Sequence, residues 1–451
     1  MEYMDKVGSV TAWAEFRLGD SCRKIGSGAT PRGGSSVYLT QGDVALIRSQ
    51  NIYNDGFHHD GLVYLSEEHA NQLSNVIVLS EDVLLNITGD SVARVCQVDP
   101  DVLPARVNQH VAIIRANPEV LWPRYLRYFL VSPRIQAKML SLAGAGATRN
   151  ALTKGMIESF EIFAPRDIRQ QQAIACILGA LDDKIEVNRR MNGTLEAMAR
   201  AIFQDWFVDF GPVRAKAAGQ APAGLAAAVA ALFPARLVEV AGRVVPEGWE
   251  IASILTFAER LSGGTPKTSI AEYWDGGVKW VSAKDVREAQ GGFVIETERT
   301  VSQKGIDNSS AKILSANTTV VTARGTVGSY CLLAEPMAIN QTNYGLRSKV
   351  RGGDYFVFFS LANLVSWLQQ NSYGTIFDTI TTSTFEQSRV VYPGSAVVSG
   401  FDDAVAPLFE RMRGSLYQSR TLAALRDALL PKLIAGEMRV ADAERVVARC
   451  L

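Results

Sequence analysis

The sequence predicts an α+β fold in which two mixed α/β globules alternate with two long helices that pack on each other. Three observations carry that expectation. A heptad seam runs through residues 168–210, the same seam returns near the C-terminus at a constant offset, and the segments ahead of the two seams share short phrases in the same order.

In the first seam Ile174, Leu178, Leu181, Ile185, Leu195 and Ile202 recur in steps of three and four, and Asn188, Asn192 and Ala199 complete the register. Asp167 with Gln170 forms a capping-box pair at the start, and Gly211-Pro212 supplies a stop. The second seam, Val405, Leu408, Met412, Ser415, Ser419, Leu422 and Leu429, superposes on Leu178, Leu181, Ile185, Asn188, Asn192, Leu195 and Ile202 at one constant shift, polar centre included. Two apolar seams that share a polar centre are suited to pack on each other, since the polar pair fixes register at some cost in stability. Pro407 is expected to mark where the straight part of the second helix begins, and Pro431 to bend its far end.

Residues 1–165 read as short strands at 44–47, 76–79, 83–85, 92–95 and 111–114, broken by Gly, Asn, Asp and Pro, with one helix from Pro123 to Leu130. Residues 248–395 repeat the plan: Ser27-Gly-Ala-Thr-Pro31 answers to Ser262-Gly-Gly-Thr-Pro266, Leu79-Ser80 to Leu314-Ser315, and Asn108-Gln109 to Asn340-Gln341. The Ala-, Gly- and Pro-rich stretch 211–247 reads as a linker with one short helix near 225–232. The expected organisation is thus a globule at 1–165, a helix at 166–210, the linker, a globule at 248–395, a helix at 400–436 and a tail at 437–451.

Composition narrows the function classes. A chain of 451 residues exceeds a single core, and its formal charge of zero gives no field-based argument for a nucleic acid or membrane partner. Cys22, Cys96, Cys176, Cys331 and Cys450 are scattered without a C-x-x-C pair, which disfavours a disulfide framework and a zinc ribbon and fits a reducing cytoplasm. The first residues lack a basic flank and apolar run, and the Ala-rich stretch 221–233 is far short of a membrane span, so neither secretion nor insertion is expected.

The phrases Ile177-Leu-Gly-Ala-Leu-Asp-Asp-Lys-Ile-Glu-Val-Asn188, Thr194-Leu-Glu-Ala-Met198, Phe203-Gln-Asp-Trp-Phe-Val-Asp-Phe-Gly-Pro-Val213, Thr421-Leu-Ala-Ala-Leu-Arg-Asp-Ala-Leu-Leu-Pro-Lys432 and Gly436-Glu-Met-Arg-Val440 resemble the specificity subunit of type I restriction-modification systems. Within the globules, Tyr273-Trp274 and Trp280-Val-Ser-Ala-Lys-Asp-Val286 add to the likeness. The resemblance implies that 1–165 and 248–395 are target recognition domains, each reading one half of a split DNA site. It also implies that the helices pair as an antiparallel coiled coil, serving as spacer and docking surface. The implied partners are double-stranded DNA, methylation subunits, expected as two, and restriction subunits, with no membrane. No cofactor is implied in this chain; S-adenosylmethionine, ATP and Mg are expected on the partner subunits.

Catalytic motifs fail to appear in the sequence. Without any Pro-Pro dipeptide there is no [DNS]-Pro-Pro-[FYW] site for a flipped base, and Gly263-Gly-Thr-Pro-Lys-Thr268 has the residue types of a phosphate loop without its spacing. Pro100-Asp101 has no nearby Glu-x-Lys to complete a nuclease site, and His58, His59 and His69 lack Cys or carboxylates at ligand spacing, so a solvated loop is the better reading. The chain is therefore expected not to be an enzyme. The rivals are a fused restriction or methylation enzyme with an unrecognised catalytic domain, and a scaffold whose globules bind proteins.

Candidate DNA contacts come from side-chain type and place. Arg48, Ser49, Gln50 and Asn51 follow a strand, and Arg, Gln and Asn are the side chains that grip guanine and adenine edges bidentately. Ser282, Lys284 and Asp285 hold the matching place in the second half. Asn108, Gln109 and His110, with Asn340, Gln341 and Asn343, form amide-rich loops, and Thr148, Arg149 and Asn150 and the run 379–384 are polar segments ahead of each seam. Arg324 and Thr326 flank a tight turn, and Arg32 and Lys267 follow the matched Thr-Pro pairs. Each loop taken singly reads more readily as a solvated turn than as a base reader, and the paired Asn-Gln has a competing reading as a structural tie between loops. At the end of the first seam Phe203, Trp206, Phe207 and Phe210 crowd two helical turns; they are expected to form a partner-binding surface, against the alternative of a local aromatic core.

Overall fold

The computed structural model describes residues 13–144, 150–325, 327–371 and 379–449. The chain divides into two compact units, one of residues 1–185 with 421–451 and the other of residues 186–420. The helices are therefore not separate from the globules: Ile168–Phe207 and Ser395–Ile434 each give one stretch to either unit.

In the first unit the strands Val63–Leu65, Val44–Ile47, Ala105–Val107 and Ile77–Val78 form one four-stranded sheet in that order. Cys22–Ser27, Val111–Ala116, Val83–Asn86 and Val95–Gln97 form another, and Trp13–Arg17 pairs with Glu161–Pro165. The second unit repeats all three. Arg299–Val301, Trp274–Val281, Met337–Ile339 and Ile313–Leu314 stand for the first sheet. Ala258–Ser262, Asn343–Ser348, Thr319–Thr322 and Tyr330–Leu333, extended by Phe293–Val294, stand for the second, and Glu250–Ala252 with Val390–Tyr392 for the pair. Even the single parallel pairing in the first sheet recurs, Ala105–Val107 on Val44–Ile47 and Met337–Ile339 on Trp274–Val281.

Asp167 accepts the backbone N–H of Arg169 and so caps the first long helix, which ends at Phe207; Phe210 takes a left-handed conformation and a new helix, Gly211–Ala217, starts with Pro212 in its first turn. In the first unit Ile174, Leu178 and Leu181 pack with Leu422, Leu429 and Leu433 in one core. The interface carries a buried ionic cluster: Asp182 Oδ2 accepts from Arg127 Nη1 at 2.7 Å and Tyr128 Oη at 2.6 Å, and its Oδ1 from Arg426 Nη1 at 2.7 Å. In the second unit Asn188 Nδ2 reaches Gln418 Oε1 at 2.9 Å and Ser419 Oγ at 3.2 Å, while Phe203 and Trp206 meet Phe401. The partner numbers fall as the first helix's numbers rise, so the helices run antiparallel. Asn188 and Asn192 are both buried, with their Oδ1 atoms unpaired among the described residues; a polar centre of this kind trades stability for a fixed register.

Four expectations need correction. The second long helix spans Ser395–Ile434 rather than 400–436, and stays helical through Pro407 and Pro431. A helical proline removes one hydrogen bond and costs about 3 kcal/mol; Val397, Val398, Phe401 and Val405 ahead of Pro407, all buried in the second core, outweigh that. The stretch 211–247 holds, besides the helix Ala227–Ala231, the helix Gly211–Ala217 and a hairpin, Leu237–Val240 with Arg243–Pro246. The strand expected at 92–95 starts only at Val95, because Ala93 sits at φ 71° in a turn. The four aromatics expected to face a partner, Phe203, Trp206, Phe207 and Phe210, are buried with exposures of 4, 3, 4 and 7 %. They meet Phe356, Phe359, Phe401, Phe233 and Trp249 at ring separations of 5.0–5.9 Å, so the local core was the correct alternative. The helix Asp354–Asn371, to which the repeated plan of 248–395 gave no bounds, supplies much of that core.

Candidate nucleic-acid interface

Four chain segments meet at one edge of each unit, held by the same backbone bonds. In the first unit Asn108 N–H donates to Ile47 O at 3.1 Å, Ile87 N–H to His110 O at 2.9 Å, and Leu152 N–H to Ile87 O at 2.8 Å. In the second, Asn340 N–H donates to Val281 O at 3.0 Å, Ala323 N–H to Thr342 O at 2.9 Å, and Ile380 N–H to Ala323 O at 3.0 Å. The Ser-Gly-x-Thr-Pro loop joins each cluster by close approach. A Cβ on Gly28 would lie 1.7 Å from Val107 O, and one on Gly263 1.9 Å from Asn340 O, so only glycine lets these strands touch. That explains why this phrase and the Asn-Gln phrase repeat together.

Within the clusters the candidates divide into scaffold and surface. Asn108 Oδ1 accepts His110 N–H at 3.0 Å, and Asn340 Oδ1 accepts Thr342 N–H at 3.1 Å; both side chains are buried and tie their own turn, as Asx residues do. Asn51, fully buried, accepts Arg48 N–H and donates to His58 O and Asp60 O. Asp285 fills the same place, accepting Ser282 N–H at 2.8 Å and Glu298 N–H at 3.0 Å in a capping box with Ser282. Asn343 is buried and donates to Val281 O, while Ser49 lends its carbonyl to Asn86 Nδ2.

The exposed group comprises Arg32, Gln50, Gln109, Asn150, Lys267, Lys284, Arg324 and Gln341, with Arg48 and His110 half-buried. Arg48 lies over Tyr38 and donates Nη2 to Gly61 O at 2.6 Å, a carbonyl shared with Gln50 Nε2. Lys284 pairs with Glu298 at 2.8 Å, which holds its ammonium above the ordinary lysine value. Thr148, Arg149 and Thr326 lie outside the described residues.

Sequence reasoning missed Thr30 and Thr88. Thr30 Oγ1 donates to Gln109 Oε1 at 2.6 Å, Gln109 Nε2 meets His110 Nε2 at 3.0 Å, and His110 Nδ1 meets Thr88 Oγ1 at 2.6 Å. Since Gln109 donates, His110 carries its proton on Nδ1, and the four side chains form a single relay. The repeated Thr-Pro phrase was the available signal for Thr30; Thr88 had none.

Among the described residues no three His, Cys, Asp or Glu side chains gather as a metal site, and no helix is long and apolar enough to cross a membrane. Burial pushes the Cys96 and Cys331 thiols up to about 12, so they stay protonated.

The type I restriction modification DNA specificity domain matches residues 11–197 and 246–395. The chain is 27% identical over 469 aligned residues to the specificity subunit of the type I restriction enzyme HindI from Haemophilus influenzae, covering 94% of this chain and 99% of that protein. It is 23% identical to the MjaIX specificity subunit from Methanocaldococcus jannaschii, over 70% of this chain and 69% of that one. The fold is shared with the S subunit of a type I restriction-modification system from M. genitalium, at a TM-score of 0.57 and 14% identity, covering 95% of this chain and 97% of that one.

Proposed function

We proceed from the fact that the chain belongs to the type I restriction modification DNA specificity family, as a specificity subunit and not a catalyst, and propose that each unit reads one half of a bipartite, asymmetric DNA target. The observation that carries this is the duplicated loop cluster. One backbone scaffold is built twice, and most of its exposed side chains differ: Arg32 and Gln50 on one copy stand where Lys267 and Lys284 stand on the other, Arg324 stands where the first copy has Thr88, and Gln109 and Gln341 share a type. Different side chains on one scaffold select different bases, because sequence is read by donors and acceptors presented to base edges.

The chain works with methylation subunits, two in number, and with restriction subunits in the cytoplasm, and those partners carry S-adenosylmethionine, ATP and Mg. With the aromatic cluster internal, the exposed Val187 and Met198 on the first long helix are the better partner-facing side chains. Near-balanced charge makes DNA affinity a shared property of the assembly.

The test is a methylome from cells producing the chain with its methylation subunits. Two short, different defined segments around an unread gap are expected; a contiguous palindrome overturns the reading. The purified chain alone should transfer no methyl group and hydrolyse no ATP.

A further inference from the structure

The two loop clusters share their backbone, yet their central glutamines are held differently. In the first unit Gln109 has both ends of its amide engaged, by Thr30 and by His110, and His110 is anchored in turn on Thr88. In the second unit the corresponding positions are Thr265, Gln341, Thr342 and Arg324, because the bond from Ile87 N–H to His110 O is matched there by the bond from Ala323 N–H to Thr342 O. Each link of the relay is broken. Thr342 turns its hydroxyl inward to Asn340 Oδ1 at 2.8 Å, so no ring stands beside Gln341. The Thr265 hydroxyl is buried and without a hydrogen-bond partner among the described residues. Arg324 replaces the Thr88 anchor. Gln341 is exposed, and neither it nor Arg324 makes a hydrogen bond or ion pair among the described residues.

We infer that Gln341 and Arg324 are specificity-determining residues of the second unit, reading adjacent base pairs directly, whereas Gln109 acts in the first unit as a positioning residue locked into the loop. The inference rests on the DNA-reading function proposed above. Its chemistry is that of the side-chain ends. A free carboxamide donates to and accepts from adenine N7 and N6, and a free guanidinium donates twice to guanine N7 and O6. An amide already bonded at both ends must break those bonds to read a base, and the unpartnered Thr265 hydroxyl is consistent with a second loop that has not spent its amide internally. Gln341 lies next to Thr342, whose carbonyl accepts from Ala323, the neighbour of Arg324; the two free side chains therefore spring from bonded loops.

The experiment uses the full chain assembled with its methylation subunits, with the methylated motif read genome-wide and the selectivity of retention measured on duplexes differing at single base pairs. Gln341→Ala and Arg324→Ala are each expected to relax one base pair of one half-site by roughly 5- to 150-fold, the range a bidentate contact confers. The other half-site should stay unchanged. Gln341→Glu, which keeps the side chain's size, is expected to move the preference at that base pair toward cytosine, whose N4 amino group donates to a carboxylate. Arg324→Thr with Thr342→His rebuilds the relay and should abolish the reading at both positions while the melting temperature holds or rises. Gln109→Ala should lower the thermal stability of the first unit's loop, seen as faster amide exchange at residues 87–89 and 108–110, and spread its selectivity loss over its half-site. An unchanged motif with Gln341→Glu or with Arg324→Ala overturns the inference and leaves the DNA-reading function intact. A wild-type complex that retains no duplex selectively overturns that function itself.

Discussion

Asp182 is the residue on which the first unit's helix interface most depends. Its two oxygens accept from Arg127, Arg426 and Tyr128, and the three ionic side chains are only 16, 7 and 16 % exposed for Asp182, Arg127 and Arg426. Burial alone pushes its carboxyl up, but the two guanidiniums and the tyrosine hydroxyl outweigh this and hold it below the ordinary carboxylate range. Asp182→Ala leaves Arg127 without a carboxylate partner among the described residues and Arg426 with only the exposed Asp427, and breaking a buried pair costs about 3–5 kcal/mol. In a unit of this size each kcal/mol moves the melting temperature by about 2–4 °C, so a drop of roughly 6–20 °C is expected. Urea unfolding followed by amide exchange in the helix Pro123–Val131 measures it for this unit alone. Replacing Asp182, Arg127 and Arg426 together by leucine should recover most of the loss, since an apolar replacement for a buried ionic group is near neutral. Because the folded carboxyl is depressed, its contribution is complete at neutral pH and is lost as pH falls through and below the ordinary carboxylate value. The Asp182→Ala penalty must shrink in that window. A loss below about 1 kcal/mol, the size of a surface pair, or a triple variant no more stable than the single one, refutes the reasoning.

Three further outcomes follow from the structure. Trp206→Ala should cost about 3–5 kcal/mol in the second unit, since it empties a ring site between Phe207, Phe233 and Phe401; normal stability with lost subunit binding would restore the partner-surface reading. Burial pushes the Asp402 carboxyl up to about 7, against the pull of the Tyr355 and Phe356 N–H groups, and the Asp354 carboxylate adds to the rise. The folded state therefore binds the proton more tightly. The second unit should lose on the order of 4 kcal/mol as pH rises from the ordinary carboxylate value to 7, a slope that Asp402→Asn should flatten in pH-dependent amide exchange. Adding one heptad to each long helix lengthens each by about 10 Å, the length of roughly three base pairs, and should widen the unread gap in the methylome with the half-sites unchanged; a constant gap removes the helices as the ruler.

Periodicity and repetition, which the chain carries locally, were enough to reveal the two long helices, their shared polar centre and the duplicated globules. Asn188 and Ser415 occupy matching seam positions in the sequence, and in the structure the Asn188 amide sits within 3.4 Å of the Ser415 carbonyl. The amide-rich phrases marked loops that each unit brings together with its Ser-Gly-x-Thr-Pro loop, because a position where a Cβ would fall 1.7 Å from a neighbouring carbonyl must be glycine and so leaves a trace in the sequence. What each amide does was not legible. Asn51, Asn108 and Asn340 look like base readers by type, yet they are buried and tied to their own turns, while Gln341, in the same kind of phrase, is free. The aromatics at 203–210 carry the same ambiguity: an apolar stripe states that something must cover it, but not whether that cover is a partner or the chain's own helix Asp354–Asn371 and residue Phe401. Pro407 and Pro431 both lie inside the continuous helix Ser395–Ile434, where buried side chains on both sides of Pro407 favour continuation over the local rule against proline. Hydrogen-bond partners and burial are long-range properties, set by residues far away in sequence, and only the tertiary structure decides them.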